Sequence, residues 1–254
     1  MDNDSKIHPK RRHHKRHLAA FVLAGAFSLS LVSPASAATI WDGDASQGTG
    51  VFRGTECEDP GTLTTPTQTD GHGTVFRFAK GSTEWRCEGR GIRVGANPYT
   101  FVENSTYYLG WESKLDQVSL PGGGDFVVFQ WKSYPDADQN YPVLMTVANG
   151  NVRLHYVAPG GTWQQIWSKP IAAFDWHKFA LGIHTSTSAT DGWIELWFDG
   201  VKQTFSNGQQ RFVGRTWDSA NEPKWGVYDR DNVTDQIVNR VDSLRVGTTY
   251  ADVD

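Results

Sequence analysis

Asp125-Phe-Val-Val-Phe-Gln-Trp-Lys132 is the stretch that decides the fold, together with Val143-Leu-Met-Thr-Val147, which follows it after the polar segment 133–142. Both runs are rich in β-branched and aromatic residues and lack a helical period, so they predict two strands joined by a loop. Strict alternation places Val127, Phe129 and Trp131 on one face of the first strand, and on the other Phe126, Val128, Gln130 and Lys132. That second face ends with an amide and an ammonium two residues apart, a pair that can contact one ligand carboxylate. The alternative is a strand that is polar only because it ends in solvent.

Short segments of the same kind recur along most of the chain and are separated by Gly, Pro, Asn and Asp. They predict about a dozen strands and no helix of two turns or more beyond residue 37. Asp199-Gly200 between two apolar runs predicts a tight hairpin, whereas residues 54–73, rich in Gly, Pro, Thr and Asp, predict a loop. The pattern favours an all-β fold, a sandwich of jelly-roll type in which two antiparallel sheets stack and one face is a concave cleft for a polymer.

Residues 1–37 have the features of a secretory signal peptide. A basic segment over residues 10–16 precedes an apolar run over residues 18–32, and Ala35-Ser-Ala37 has the small residues of a cleavage site. The apolar run is too short for a membrane anchor. We therefore predict a secreted, monomeric protein whose single folded domain is residues 38–254.

The net charge limits the kinds of ligand that the chain can bind, and its cysteine content predicts a cross-link. The chain has a formal charge of −4, and its first 37 residues hold six of its 24 Lys and Arg, so the folded domain is more acidic still and lacks the basic footprint of a nucleic-acid-binding protein. Cys57 and Cys87 are the two cysteines, and export predicts that they form a disulfide. The alternative is a pair of buried thiols. No pattern of Cys and His suits zinc.

Three short patterns place charged and polar side chains on strand faces. The first is Arg86-Cys-Glu-Gly-Arg90, in which Arg86, Glu88 and Arg90 share a face and can bind carboxylates, or alternatively form a surface ion-pair ladder. The second is Gln130-Trp-Lys132. The third is Lys224-Trp-Gly-Val-Tyr228, whose shared face includes Lys224, Gly226, Tyr228 and Arg230. Gly226 is predicted to let a ligand approach the backbone closely.

In their order and face parity these patterns resemble those of jelly-roll polysaccharide lyases, a group that includes alginate lyases, heparin lyase I-like enzymes and glucuronan lyases. The alginate-lyase group has an R-x-E-x-R, a Q-x-H and a K-x-G-x-Y strand. Lys132 stands here where many relatives carry His. Phe129-Gln-Trp-Lys-Ser-Tyr134 and Gln139-Asn-Tyr-Pro142 look most like glucuronan lyases. The resemblance implies β-elimination on an anionic polysaccharide, closest to β-1,4-glucuronan, with alginate or a glycosaminoglycan-type polymer as the alternative, and no cofactor for the chemistry.

This chemistry assigns roles to the motif residues. The uronate carboxylate must be neutralised before the proton at C5 can leave, and we predict Gln130 for this role, assisted by Arg86, Arg90 or Lys132. A base must take that proton, and an acid must protonate the leaving O4. In glucuronate both lie on one side of the ring, so one residue can serve for both. Because the family His is missing and Lys is a poor base at its usual pKa of about 10.4, we predict syn elimination by Tyr228.

Further residues are predicted to contact substrate. Lys224 and Arg230 would hold neighbouring uronates, with Arg90 and Glu88 beside them, and Arg93 would face inward if the strand slipped by one residue. His72, in the loop Asp70-Gly-His-Gly73, is an alternative base or substrate contact.

Three aspartates are candidates for a structural calcium site, namely Asp42, Asp44 and Asp242. They come from the terminal strands, which often lie side by side in sandwiches of this kind, and carboxylate oxygens are ligands that calcium prefers. The alternative is that they are solvated turn residues.

Two other function classes compete with a lyase. Retaining glycosidases need two carboxylates close together, and the nearest match, Glu195-Leu-Trp-Phe-Asp199, lacks the full motif. A carbohydrate-binding module would use some of the eleven Trp and eight Tyr to stack on sugars. A module for neutral sugars does not need the cationic patterns.

Overall fold

The computed structural model describes residues 38–231 and 234–254, so the predicted signal peptide lies outside the described residues. The N-terminal half contains the strands β1 (Thr39–Gly43), β2 (Phe52–Cys57), β3 (Thr62–Thr64), β4 (Phe76–Lys80), β5 (Arg86–Val94), β6 (Asn97–Pro98), β7 (Thr106–Leu115) and β8 (Phe126–Ser133). The C-terminal half contains β9 (Val143–Ala148), β10 (Asn151–Val157), β11 (Trp163–Pro170), β12 (Trp176–His184), β13 (Trp193–Phe198), β14 (Val201–Lys202), β15 (Phe212–Val213), β16 (Asn221–Asp229) and β17 (Ile237–Gly247).

Helical structure in the described ranges is limited to single turns. Three 3-10 helices span Ala45–Gln47, Thr49–Val51 and Tyr250–Asp252. Within 38–231 and 234–254 no helix is long and apolar enough to cross a membrane.

The strands form two antiparallel sheets, which confirms the predicted all-β sandwich. One sheet, called here the motif sheet because it contains all three patterns, has the order β11-β10-β9-β8-β16-β5-β2, with β6 added beside β5. The opposite sheet has the order β14-β13-β12-β7-β17-β4-β3, with β1 beside β17 and β15 beside β13. The neighbours β5, β16 and β8 come from distant parts of the chain.

The core lies between the sheets and is rich in aromatic side chains. Trp111 of β7 stacks on Phe129 of β8 with ring centroids 4.8 Å apart, and Trp131 and Trp225 are fully buried. A fully buried Phe contributes roughly 1.5–3 kcal/mol by leaving water. Because these rings point inward, the residues that alternate with them on β5, β8 and β16 point out of the sandwich.

The predicted hairpin is confirmed and the predicted loop is wrong in part. Asp199 and Gly200 both have positive φ, 49° and 76°, and join the paired residues Phe198 and Val201, as a tight hairpin turn requires. Residues 54–73, however, include most of β2 and all of β3. Composition missed β2 because its stability comes from pairing with β5, a long-range contact that a local pattern does not reveal.

The predicted disulfide is confirmed. Cys57 of β2 and Cys87 of β5 are bonded and lie directly opposite each other in the motif sheet. The bond therefore ties the edge strand β2 to the strand that carries Arg86, Glu88 and Arg90.

Strict alternation is wrong for part of β8. The pairing with β9 shifts by one residue between Val127 and Phe129, so Phe126 and Val128 join the core. Val127 instead lies in a small apolar cluster on the outer face, with Leu144 and Val157. Gln130 follows the shift and no longer shares a face with Phe126 and Val128, and its amide bonds to Glu88 of β5.

Candidate active site

The three sequence patterns meet on the outer face of the motif sheet. In the register of the sheet Arg90 of β5 lies opposite Lys224 of β16, and Lys224 lies opposite Gln130 of β8. Arg86 lies opposite Tyr228, four residues further along each strand. These side chains therefore lie along one surface of the motif sheet.

A buried polar triad forms the floor of this surface. The amide of Gln130 donates to Glu88 Oε1 at 2.6 Å, and Lys224 Nζ lies 2.6 Å from Glu88 Oε2. All three residues are buried. Although burial acts to lower the pKa of Lys224, the charge of Glu88 and its hydrogen bond raise that pKa above its usual value. The ammonium is thus held charged, and Glu88 fixes the orientation of the Gln130 amide.

A second layer centres on Glu56 of β2, which the sequence prediction missed because it falls in the predicted loop. Glu56 Oε2 lies 3.0 Å from Lys224 Nζ and 3.2 Å from Arg86 Nη1. Its Oε1 accepts from the Tyr134 hydroxyl at 3.0 Å and lies 3.7 Å from Arg90 Nε. Burial acts to raise the pKa of Glu56, but the charge of Lys224 and the hydrogen bonds from Lys224 and Tyr134 lower it.

Tyr134, which follows β8, is a further residue that the sequence prediction missed. The guanidinium of Arg90 lies 4.6 Å from the centroid of its ring, and Lys132 Nζ lies 4.5 Å from it. Burial, with the nearby charge of Glu56, raises the pKa of the Tyr134 hydroxyl, so this phenol acts as a hydrogen-bond donor. Its position two residues after Lys132 was the signal that could have identified it.

Lys132 itself lies among charges of both signs. Burial lowers the pKa of its ammonium, and the charges of Lys224 and Arg86 add to this effect, whereas the charges of Asp136 and Glu56 oppose it. Its Nζ donates to the carbonyl of Ser133 at 2.7 Å. Lys132 is therefore close to Arg86, the residue that is predicted with it to assist Gln130.

Tyr228 lies beside Arg86 at one end of the floor. The guanidinium of Arg86 lies 4.0 Å from its ring centroid, and the ring packs on the small apolar cluster formed by Val127, Leu144 and Val157. Within 38–231 and 234–254 the Tyr228 hydroxyl has no hydrogen-bond partner from the protein. A ring held in place with an unengaged hydroxyl is suited to exchange a proton with a bound ligand.

Arg230 lies further along the same face, beside half-buried aromatic side chains. Its guanidinium pairs with Asp125 at 2.8 Å and lies 4.4 Å from the Trp163 ring centroid. Tyr141 packs edge-on against Trp163. An arginine next to aromatic rings suits an acidic sugar beside the central site, and the predicted role of Arg230 stays a prediction.

Two predicted substrate contacts, Lys224 and Glu88, are instead engaged by other groups of the protein. Lys224 is fully buried and paired with Glu56 and Glu88, and Glu88 is engaged by Lys224 and Gln130. Both act on the site by positioning Gln130 and Glu56 in the free protein.

The expected role of Gly226 is also wrong. Its φ is 147°, and a Cβ there would lie 2.3 Å from the carbonyl oxygen of Cys87 and 2.7 Å from Cα of Glu88. The close approach that requires glycine is made by β5 of the protein itself.

Arg93 and His72 lie away from the cluster. Arg93 donates to the backbone carbonyls of Phe52, Arg53 and Ala96, so it secures the end of β5. His72 Nε2 lies 2.9 Å from Glu112 Oε2 and its ring stacks on Trp176 at 3.9 Å. Glu112 and Trp176 belong to β7 and β12 of the opposite sheet, so the prediction that His72 reaches the cleft does not agree with its position.

The predicted calcium ligands do not form a site. Asp44 caps the first 3-10 helix by accepting from the Ser46 backbone, and Asp242 accepts from the Ser243 backbone. Asp42 is exposed on β1. In the described ranges no three His, Cys, Asp or Glu side chains are placed to hold a metal ion.

The carboxylates considered for hydrolysis are also apart from this face. Glu195 of β13 pairs with Lys202 at 2.9 Å and Arg211 at 2.8 Å, and Asp199 lies in the hairpin turn, where it accepts from the Lys178 backbone. Both belong to the opposite sheet and are engaged in structural contacts.

Comparison with known proteins points to one family. The family model described as polysaccharide lyase matches residues 41–245, whereas no curated protein sequence matches the chain. Among solved structures, the endo-β-1,4-glucuronan lyase from the fungus Trichoderma reesei superposes with a TM-score of 0.58 at 18% identity, over 80% of this chain and 93% of that one. An alginate lyase of polysaccharide lyase family 7 gives 0.52 at 14% identity, over 76% and 85%. The alginate lyase from Corynebacterium sp. gives 0.52 at 13% identity, over 75% and 82%.

Proposed function

Because the chain belongs to the polysaccharide lyase family, we propose that it cleaves a polyuronate, most closely β-1,4-glucuronan, within the polymer by β-elimination. The observation that carries this proposal is the placement of Arg86, Arg90, Gln130 and Tyr228 on one face of the motif sheet. The choice of glucuronan follows the resemblance of the segment 129–142 and the substrate named for the Trichoderma reesei protein.

The first step is neutralisation of the uronate carboxylate. Gln130 donates one amide hydrogen to Glu88, and its second amide hydrogen is available to a ligand. Arg86 and Arg90 add positive charge where the enolate-like intermediate accumulates negative charge, and groups aimed at developing charge supply much of the barrier reduction in such reactions. This arrangement makes removal of the C5 proton feasible.

The second step transfers a proton from C5 to O4. The C5–H and C4–O bonds break, a C4=C5 double bond forms, and the leaving O4 takes a proton. Tyr228, whose ring lies against the guanidinium of Arg86, removes the C5 proton as a base and returns it to O4 as an acid. A single residue suffices for glucuronate, because the C5 hydrogen and O4 lie on the same side of its ring.

Ultraviolet absorbance during incubation with glucuronan, alginate, hyaluronan and heparin in turn tests the reaction. Elimination leaves an unsaturated uronate that absorbs, so we expect a rise with glucuronan. A rise with alginate or a glycosaminoglycan alone would contradict the substrate. New reducing ends without absorbance would mean hydrolysis, and retention on a polysaccharide column without either signal would mean a binding module.

Replacing Gln130 by Leu is expected to lower kcat by about 10²–10³-fold, the usual effect of removing one donor from a site of developing negative charge. Leu keeps most of the side-chain volume, and Glu88 keeps its pairing with Lys224. Initial rates on glucuronan measure the effect, with Gln210→Leu as a matched exchange at an exposed position. A rate of Gln130→Leu within a factor of about three of the wild-type rate would contradict a role for Gln130 in the mechanism.

We propose that the protein is secreted and cleaved after Ala37, because residues 1–37 have the signal features described above. Sequencing the N-terminus of protein recovered from culture medium is expected to begin at Ala38. Protein that stays in the cells with its N-terminus intact would contradict this proposal.

A further inference from the structure

Glu56 is held as a bound carboxylate ligand would be held. Hydrogen-bond donors reach it from β5, from β16 and from the segment after β8: Arg86 at 3.2 Å, Lys224 at 3.0 Å and the Tyr134 hydroxyl at 3.0 Å. Arg90 adds its charge at 3.7 Å. Two guanidinium groups, an ammonium and a phenol therefore surround both oxygens of one carboxylate, which is the set of groups that recognises a carboxylate on a ligand.

Glu56 differs from Glu88 in its freedom to leave. The side chain of Glu56 is 30% exposed, whereas that of Glu88 is 2% exposed. Glu56 also comes from β2, the edge strand of the motif sheet, so it can turn toward solvent without breaking the sheet. When it leaves, Lys224 stays paired with Glu88 at 2.6 Å, and no buried ammonium is left without a partner.

The groups that hold Glu56 are next to the reacting groups of the proposed function. Arg86, which binds Glu56, also lies against the ring of Tyr228, and Lys224 lies opposite Gln130 in the sheet. A carboxylate bound in place of Glu56 would thus contact Arg86, which lies against the predicted base, and would lie near Lys224, the neighbour of the predicted neutralising amide. We propose that Glu56 occupies the carboxylate subsite in the free protein, and that a substrate uronate binds Arg86, Arg90 and Tyr134 by displacing it.

This proposal, which rests on the proposed function, makes Glu56 a specificity-determining residue. A uronate brings a carboxylate that replaces the one it displaces, so Arg86, Arg90 and Tyr134 keep an anionic partner. A neutral sugar would leave these donors without that partner, and unmatched polar groups cost binding energy. Glu56 therefore favours acidic over neutral polymers, and its competition with the substrate carboxylate also lowers the affinity for acidic polymers.

Binding of β-1,4-tetraglucuronate measured by calorimetry tests the displacement. The protein carries Tyr228→Phe to prevent turnover, and Glu56→Gln is compared with the unchanged Glu56 in that background. We expect Glu56→Gln to lower Kd by about tenfold, because a neutral amide competes less well for charged donors than a carboxylate does. Cellotetraose has the same backbone without carboxylates, and its affinity is expected to stay unchanged.

Glu58→Gln is the matched control, since Glu58 follows Glu56 closely and is exposed. It removes the same charge outside the subsite and is expected to leave Kd within about twofold. Unchanged or weaker tetraglucuronate binding by Glu56→Gln, or an equal gain by Glu58→Gln, would overturn the proposal. If Glu56→Gln does not fold, Glu56→Asp provides the test, because its shorter side chain holds the donors less well and should also tighten binding.

The two proposals can fail separately. A flat ultraviolet assay on all four polymers contradicts the lyase function, whereas the effect of Glu56→Gln on Kd is measured without turnover. A rise in absorbance without tighter binding of tetraglucuronate by Glu56→Gln or Glu56→Asp would support the lyase function and contradict the placement of Glu56 in the carboxylate subsite.

Discussion

Replacing Tyr228 by Phe is expected to lower kcat on glucuronan by about 10³-fold or more, because one residue acting as base and acid accounts for much of the usual 10²–10⁴-fold effect of proton transfer catalysis. Phe keeps the ring that packs on Val127 and Leu144 and lies against Arg86. The fold and the binding of substrate should therefore change little, and KM is expected to stay within a factor of a few.

Single-turnover rates followed by ultraviolet absorbance measure the effect of Tyr228→Phe. Tyr250→Phe is a matched control, since Tyr250 bonds to Asp254 and stacks on Trp197 of the opposite sheet. His72→Ala tests whether His72 is the base instead. We expect this variant to retain activity, because His72 lies against Glu112 of the opposite sheet. Near-normal activity of Tyr228→Phe, or a large loss in His72→Ala, would contradict syn elimination by Tyr228.

Replacing Lys224 by Met is expected to lower the free energy of unfolding by about 3–5 kcal/mol, the usual cost of leaving one member of a buried ion pair without its partner. Lys224 is fully buried, and Glu88 beside it is almost so. Once the ammonium is gone, Glu88 keeps only the Gln130 amide and the more distant Arg86, whose Nη1 lies 3.7 Å away.

Urea denaturation measures this loss of stability, and two further variants show whether the unpaired charge causes it. Lys169→Met changes an exposed lysine on β11 of the same sheet and is expected to alter stability by less than about 0.5 kcal/mol. Adding Glu88→Gln to Lys224→Met removes the unpaired charge and should restore part of the stability. A loss below about 1 kcal/mol for Lys224→Met would mean that the buried charge finds another partner.

The positioning role of Lys224 also explains how the motif works as a unit. Lys224 holds Glu88, Glu88 orients the Gln130 amide, and the same ammonium holds Glu56. We therefore expect Lys224→Met to lower activity by changing the positions of Gln130 and Glu56, although Lys224 itself is buried and paired with Glu88.

Much of the fold and part of the site follow from local patterns. Alternation predicted one shared face for Arg86, Glu88 and Arg90 of β5 and one for Lys224 and Tyr228 of β16, because side-chain direction in a regular strand depends only on position. The same rule failed in β8 at Val128, where a register shift reverses the parity. Such a shift arises from pairing with β9 and β16 and has no signal in β8 alone.

The sequence by itself determined the all-β class, the pairing of Cys57 with Cys87 and the residues that face outward on β5 and β16, because these depend on local periodicity and on there being two cysteines. Only the tertiary structure decided that Glu56 lies within reach of Lys224 and Tyr134, and that Lys224 is buried. Glu56 and Lys224 are 168 residues apart along the chain, and their contact depends on the order of strands in the sheet. That order follows from how the whole core packs, which no single stretch of the sequence encodes.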